Sequence, residues 1–267
     1  MDVIGNYTVK TFNRVINAEV VELSRNRLYM VGFVELDITK ARQMINTYKE
    51  KTGERISFTG WIAYCTGKAV ANQIEVQAFK KRKKLIIFED VDISITVEKI
   101  VDNRVTPILL VIRKANEKSV KEIHDEIRAV QKRDDNELST SVSKKKLNLL
   151  LSLPKFVRQL IFWRRVKNNP HYYKKLNGTV LITAIGMFGK GRRGWGSNLG
   201  FAPVCIVIGG ISKQPRLIEG KVENREFLNL TIKVDHITLD GGPASRFVND
   251  LMNFIEDAHG LEEFDVK

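Results

Sequence analysis

Apolar residues recur along this chain with the two periods of helix and strand. From Arg27 to Ile38 (RLYMVGFVELDI) aromatic and β-branched residues crowd together as in a strand, and Asp37-Ile38-Thr39 then supplies the start of a helix to about Lys51. Ser57-Phe58-Thr59 predicts a second helix start, with Trp61, Ile62, Cys65, Ala69, Val70 and Ile74 on one face and helical character continuing toward Ala78. Strand patterns follow at 85–89, 91–98 and 105–113, and Asn116-Glu117-Lys118-Ser119 precedes a helix to about Lys132. Short apolar runs at 179–185 and 204–209 read as fully buried strands, and 226–234 alternates. A closing helix is expected from near Ala244 to about Asp257, with Phe247, Leu251, Phe254 and Ile255 on one side. Strands interleaved with helices predict an α/β layered fold, and no repeat or long linker divides it, so residues 1–267 are expected to form one domain.

The stretch from Lys144 to Val166 breaks this rhythm. Leu147, Leu149, Leu150, Leu151, Leu153, Phe156, Val157, Leu160, Ile161, Phe162 and Trp163 sit between basic clusters. Pro154, Lys155 and Arg158 interrupt the run well short of the ~20 residues a spanning helix needs. The favoured expectation is helices packed on the sheet or on a partner subunit; the other is an amphipathic surface helix touching lipid or an acyl chain.

Composition narrows the class. With 43% hydrophobic and 28% charged residues the chain reads as an ordinary globular protein. A formal charge of +13 favours polyanions in general, but no helix-turn-helix, zinc finger or ribonucleoprotein motif accompanies it, so no specific nucleic-acid partner is expected. The densest cluster, Lys80-Lys81-Arg82-Lys83-Lys84, reads as a solvated connection between a helix and the strand at 85–88. Cys65 and Cys205 lie in apolar surroundings, predicting buried thiols, and the four histidines lack paired spacing, so no metal is expected. The start has no basic region followed by a long apolar one, which leads to the expectation of a cytoplasmic protein.

The segment Val234-Asp235-His236-Ile237-Thr238-Leu239-Asp240-Gly241-Gly242-Pro243-Ala244 carries the candidate chemistry. It places an imidazole at the end of an alternating strand, four residues ahead of an Asp-Gly pair, where a tight turn can present a rigid general base. An imidazole suits that task because its unperturbed pKa of about 6.5 lets it take up and return a proton near neutrality. His124, His171 and His259 are expected on the surface.

Further segments join this one in order: Phe33–Thr39, Val91–Val97, Pro107–Ala115 followed by Lys118-Ser119, Gly178–Gly189, Ala202-Pro203, and Asp235–Phe247. Together they resemble the catalytic domain of the acyltransferase component of 2-oxo acid dehydrogenase complexes, a family that shares its fold with chloramphenicol acetyltransferase. The resemblance implies a two-layer domain with a mixed sheet flanked by helices, assembled into trimers or trimer-based cages. It implies that His236 is the general base that deprotonates an attacking thiol. Thr183 falls where the family places a hydroxyl against the oxyanion, and Asp240 at the second polar position of the motif, holding geometry. Gly241 and Gly242 would let the backbone turn tightly beside the reacting atoms. Coenzyme A is the implied co-substrate, in a channel between neighbouring subunits. Lys190, Arg192 and Arg193, in the Gly-rich loop after the Thr183 strand, are candidates for its phosphates by charge and position.

The sequence departs from the family in three places. No lipoyl or subunit-binding segment is expected ahead of the catalytic part, so the expected acyl donor or acceptor is a lipoyl group on another chain, a pantetheine arm on a carrier protein, or a free small molecule. The central Leu-rich basic segment replaces a polar helix, and Ser197-Asn198-Leu199-Gly200-Phe201 replaces a Ser/Thr-Pro-Ile stretch. A different class of function is a non-catalytic trimeric scaffold that keeps the fold.

Overall fold

The protein is seen here as a computed structural model that describes residues 15–25, 27–101, 104–132, 144–186, 191–198 and 200–265. After α1 (Val15–Ser24) come β1 (Tyr29–Asp37), α2 (Thr39–Thr52) and α3 (Phe58–Asn72). A short 3₁₀ turn leads to β2 (Phe79–Lys81), β3 (Lys84–Ile86), β4 (Ile93–Val101), β5 (Arg104–Ile112) and α4 (Val120–Lys132). The middle of the chain is helical: α5 (Lys144–Ser152), α6 (Lys155–Arg158), a π-helical turn (Gln159–Trp163), α7 (Arg164–Asn168) and α8 (Pro170–Asn177). Then follow β6 (Val180–Ala184), β7 (Val204–Ile218), β8 (Lys221–Asp235) and α9 (Gly241–Glu256).

Six strands form one mixed sheet in the order β1-β8-β7-β6-β4-β5. β6 runs parallel to both β4 and β7, while β8 is antiparallel to β7 and β1. Alternation puts Leu228, Leu230, Ile232 and Val234 of β8 on one face, in a continuous core with Ile93, Ile95, Ile182 and Ile206 of the other strands. Residues of α2, α3, α4 and α9, among them Ile45, Trp61, Ile123 and Phe247, fill the same core. Truncating Trp61 or Phe247, both fully buried, would cost about 3–5 kcal/mol.

Local chemistry explains several boundaries. Ser57 Oγ accepts the Gly60 N–H at 3.2 Å and starts α3, as its sequence predicted. The Asp37 carboxylate accepts the Thr39 N–H at 2.9 Å ahead of α2. Asn169 caps α8 through the Tyr172 N–H, with Pro170 at the first helical position.

Three expectations change. The Lys80–Lys84 cluster is not a link from helix to strand: β2 and β3 pair as a hairpin turning at Arg82, whose φ is 56°, so the cations occupy an exposed ribbon. β7 and β8 are each 15 residues long, beyond the expected 204–209 and 226–234, and extend together to a Glu219-Gly220 turn with positive φ at both positions. His124 is buried, not exposed. Its Nδ1 accepts the Ser57 N–H at 2.9 Å, so Nε2 carries the proton toward Glu54. Asp125 lies within 4.8 Å of this pair. His171 is exposed and His259 half-buried.

Candidate active site

β8 ends at Asp235, and His236 opens the turn that leads into α9. The turn is held from several sides. The His236 N–H donates to Leu28 O at 2.9 Å, and the Asp235 N–H donates to Pro203 O at 2.9 Å. The Asp235 carboxylate accepts the Ile237 N–H at 3.1 Å and forms an ion pair with Arg27. That carboxylate is almost entirely buried, with side-chain exposure of 4%, so Arg27 and the turn amide supply what water cannot. Arg27 also stacks 4.5 Å above the Phe201 ring. Beside it the Tyr29 hydroxyl donates toward Ala202 O at 2.8 Å and Gly200 O at 3.0 Å, and burial pushes its pKa well above the ordinary value.

The imidazole itself is exposed, and its Nδ1 lies 3.0 Å from Leu239 O. A carbonyl oxygen only accepts, so Nδ1 carries the hydrogen and Nε2 keeps a free lone pair. A base of defined tautomer on a clamped turn is what proton abstraction from an incoming thiol requires. Asp240 shares the turn. It is the N-cap residue of α9, exposed, with no side-chain bond to the helix. Neither Gly241 nor Gly242 has positive φ, and a Cβ on Gly241 would meet nothing within 4 Å. The glycines therefore do not make the tight turn expected of them; they leave open space over the first turn of α9.

Thr183 lies elsewhere. It is half-buried on β6, paired with Val207, which pairs in turn with Thr231. His236 lies five residues beyond Thr231, so about 16 Å along the strand and about 10 Å across it separate the two within one chain. Thr183 stands level with Phe33, midway along β1, whereas His236 lies just beyond the sheet end that Tyr29 and Asp235 mark.

The loop after β6 lies at the Thr183 end. The Gly194 N–H donates to Asn229 Oδ1 at 2.9 Å, Trp195 Nε1 donates to Val34 O at 3.0 Å, and Gly210 N–H donates to Gly194 O at 2.9 Å. This close crossing needs bare backbone at the β7 bulge: a Cβ on Gly210 would stand 2.1 Å from Arg192 O, and one on Gly209 2.5 Å from Gly194 O. Arg193 pairs with Glu35 at 3.2 Å and with Gln214, while Arg192 is exposed. Lys190 lies outside the described residues. Within one chain, then, His236 and Asp240 share the turn before α9, while Thr183 sits on β6 and Arg193 reaches across to Glu35 and Gln214.

Sequence reasoning missed Arg27 and Asp235 as supports of the turn. Asp235, next to the histidine, was visible as a buried carboxylate only once its strand face was known; Arg27, 208 positions away, left no local signal.

The residues matched by the family described as 2-oxoacid dehydrogenases acyltransferase (catalytic domain) are 6–144 and 164–262. The dihydrolipoyllysine-residue succinyltransferase component of the mitochondrial 2-oxoglutarate dehydrogenase complex of Saccharomyces cerevisiae is 25% identical over 235 residues, which is 85% of this chain and 42% of that protein. The chain thus spans less than half of that relative. Among solved structures, a probable dihydrolipoamide acetyltransferase from Listeria monocytogenes superposes with a TM-score of 0.67 at 19% identity, covering 95% of this chain and 96% of the other. The dihydrolipoamide acetyltransferase of Azotobacter vinelandii gives 0.68 at 17% identity, covering 97% and 95%. The cubic core of a pyruvate dehydrogenase multienzyme complex gives 0.67 at 17% identity, again covering 97% and 95%. These structures share the fold, and the family match takes in most of the sequence: the chain belongs to the 2-oxoacid dehydrogenase acyltransferase family, as an acyltransferase catalytic domain.

Proposed function

We propose that this chain transfers an acyl group between coenzyme A and a thiol acceptor of lipoyl type, at a site that two neighbouring copies complete. The observation that carries this is His236, clamped, exposed and with Nε2 free. In the reaction Nε2 takes the acceptor thiol's proton as sulfur bonds to the thioester carbonyl carbon. The Thr183 hydroxyl of the neighbouring copy donates to the oxyanion of the tetrahedral intermediate. Collapse breaks the bond to coenzyme A sulfur, and the imidazolium returns its proton to that thiolate. An oxyanion donor of this kind is worth about 10²–10³ in rate.

The sharing between copies rests on the separation of His236 from Thr183. A two-ended chain of this kind closes into a ring of equivalent sites, such as a trimer. Arg192 at the Thr183 end is an exposed cation for a substrate phosphate, whereas the charge of Arg193 is already partly met by Glu35. The relatives support the same reading. The yeast relative's name makes a lipoyl-lysine its substrate. The Azotobacter enzyme's mechanism was investigated at a serine, a histidine and an asparagine, the last two four positions apart, as are His236 and Asp240.

Thiol release from acetyl-, succinyl- and longer acyl-coenzyme A, with dihydrolipoamide as acceptor, tests the reading. Turnover that His236→Ala abolishes is expected. Turnover unaffected by that change removes the base, and no turnover with any acyl group leaves the non-catalytic scaffold.

A further inference from the structure

The helical segment from Lys144 to Asn177 carries charge of one sign only. It contains ten lysines and arginines and no aspartate or glutamate, against a surplus of thirteen for the whole protein. The family match stops at residue 144 and resumes at 164, so 145–163 stand outside it. Here the chain carries something its family pattern does not require.

The inner side of this segment is firmly anchored. Glu19 of α1 is buried and accepts hydrogen bonds from Arg158 Nη2 at 2.6 Å and from Trp163 Nε1 at 2.6 Å. Trp163 and Val166 join Phe79 and Tyr173 in a small apolar cluster, against which Phe162 and Phe201 pack. The outer side is unlike an ordinary solvated helix face. Leu149, Phe156, Leu160 and Ile161 are each 60–73% exposed, and Leu151 is 41% exposed. The π-helical turn at Gln159–Trp163 inserts an extra residue per turn, which lets Leu160 and Ile161 both face outward while Arg158 and Trp163 stay inside. Exposed Lys155, Arg164, Arg165 and Lys167 flank these side chains, and a shallow groove runs between Phe156, Leu160, Gln159 and Arg164.

Bulky apolar side chains projecting from a rigid helical face, rimmed by Arg164, Arg165 and Lys167 and by Lys155, which pairs with Glu22 at 3.0 Å, match an interface that is apolar inside and anionic outside. That is the chemistry of a phospholipid surface with acidic headgroups. The same face of a second copy fits poorly, because it would set Arg164, Arg165 and Lys167 against their own counterparts. Among the described residues no helix is long and apolar enough to cross a membrane, which leaves attachment from one side. We propose that residues 149–167 dock this domain on an anionic membrane surface, with Phe156, Leu160 and Ile161 entering the headgroup layer and Lys155, Arg164 and Lys167 facing the lipid charge.

Flotation of the full chain with vesicles tests this, using phosphatidylcholine alone and phosphatidylcholine with about a third phosphatidylglycerol. Binding is expected with the acidic vesicles and not the neutral ones, weakening as salt rises from about 0.1 M to about 1 M. The triple change Phe156→Ser, Leu160→Ser, Ile161→Ser removes only exposed side chains and is expected to lower vesicle affinity at least tenfold with an unchanged melting temperature. Reversing Arg164→Glu and Lys167→Glu should lower it more, about a hundredfold. Reversing Lys80→Glu and Lys81→Glu on the exposed β2–β3 hairpin should leave it unchanged. Absence of flotation with acidic vesicles overturns the proposal. So does flotation that survives the triple serine change but is displaced by RNA, which would mark bare polyanion attraction. A lower molecular mass of the triple serine variant in light scattering also overturns it, by showing that the face lies between copies.

Discussion

Thr183 stands level with Thr231 across β7, and His236 lies five residues past Thr231, just beyond the end of β8. One chain therefore holds the proposed base and the proposed oxyanion donor about 19 Å apart, and catalysis by this pair requires two chains.

Two inactive variants should rescue one another. His236→Ala and Thr183→Val, each purified alone, are expected to lose about 10²-fold or more in turnover. Co-expressed, they allow an intact His236 from one copy to meet an intact Thr183 from the next. Random assembly makes about a quarter of the sites intact. Thiol-release assays on the mixed assembly check this, and no recovery would argue against a shared site.

Arg27→Met should destabilise the fold by about 3–5 kcal/mol, because it strands the buried Asp235 carboxylate without its cation. Adding Asp235→Asn should recover part of that loss. Urea unfolding of the two variants measures it. Turnover at constant fold would also fall, since the Ile237 N–H bond to Asp235 fixes the turn that carries His236.

Glu19 links acid stability to the inserted helices. Burial alone would raise its carboxyl pKa, but the hydrogen bonds and charge of Arg158, with the bond from Trp163, outweigh burial and hold it below the ordinary value. A depressed folded pKa means that its contribution is complete above the unfolded value, near 4.3, and drains away as pH falls through the lower folded one. Glu19→Gln should flatten the pH dependence of the urea midpoint below about pH 4. An unchanged slope would dissociate Glu19 from acid unfolding.

Both thiols should be silent in the native protein. Cys65 and Cys205 are fully buried, and burial pushes the Cys205 thiol up to about 11, against the opposing pull of Lys233. At pH 8 neither is expected to react with a thiol reagent until denaturant is added, when both should react. Rapid native labelling would contradict the burial.

Much of this architecture was legible because its elements advertise themselves locally. The Ser57 cap, the face from Trp61 to Val70, and the β6 strand each carry a signal within a dozen residues, although β6 buries only Val180 and Ile182 and not the whole run expected. The length of β7 and β8 was not legible. Beyond Ile211 the ribbon passes through Ser212-Lys213-Gln214-Pro215-Arg216. Burial still alternates there, but the buried side chains, Ser212 and Gln214, are polar and bonded, Gln214 to Glu35 and Arg193, so no apolar period marks the strand. The site divides the same way. His236 with Asp240 formed a contiguous pattern, and Thr183 was placed by resemblance alone. The Arg27 contact to Asp235 depends on β1 lying beside β8, a pairing that no local pattern encodes.

The placement of base and hydroxyl two strands and five residues apart has a genetic corollary. In a closed ring each copy would serve two sites, giving its imidazole to one and its threonine to the other. A copy defective in both would silence two of the three sites in a trimer while assembling normally. Such an allele would behave as dominant, poisoning its wild-type neighbours in proportion to its share of the pool.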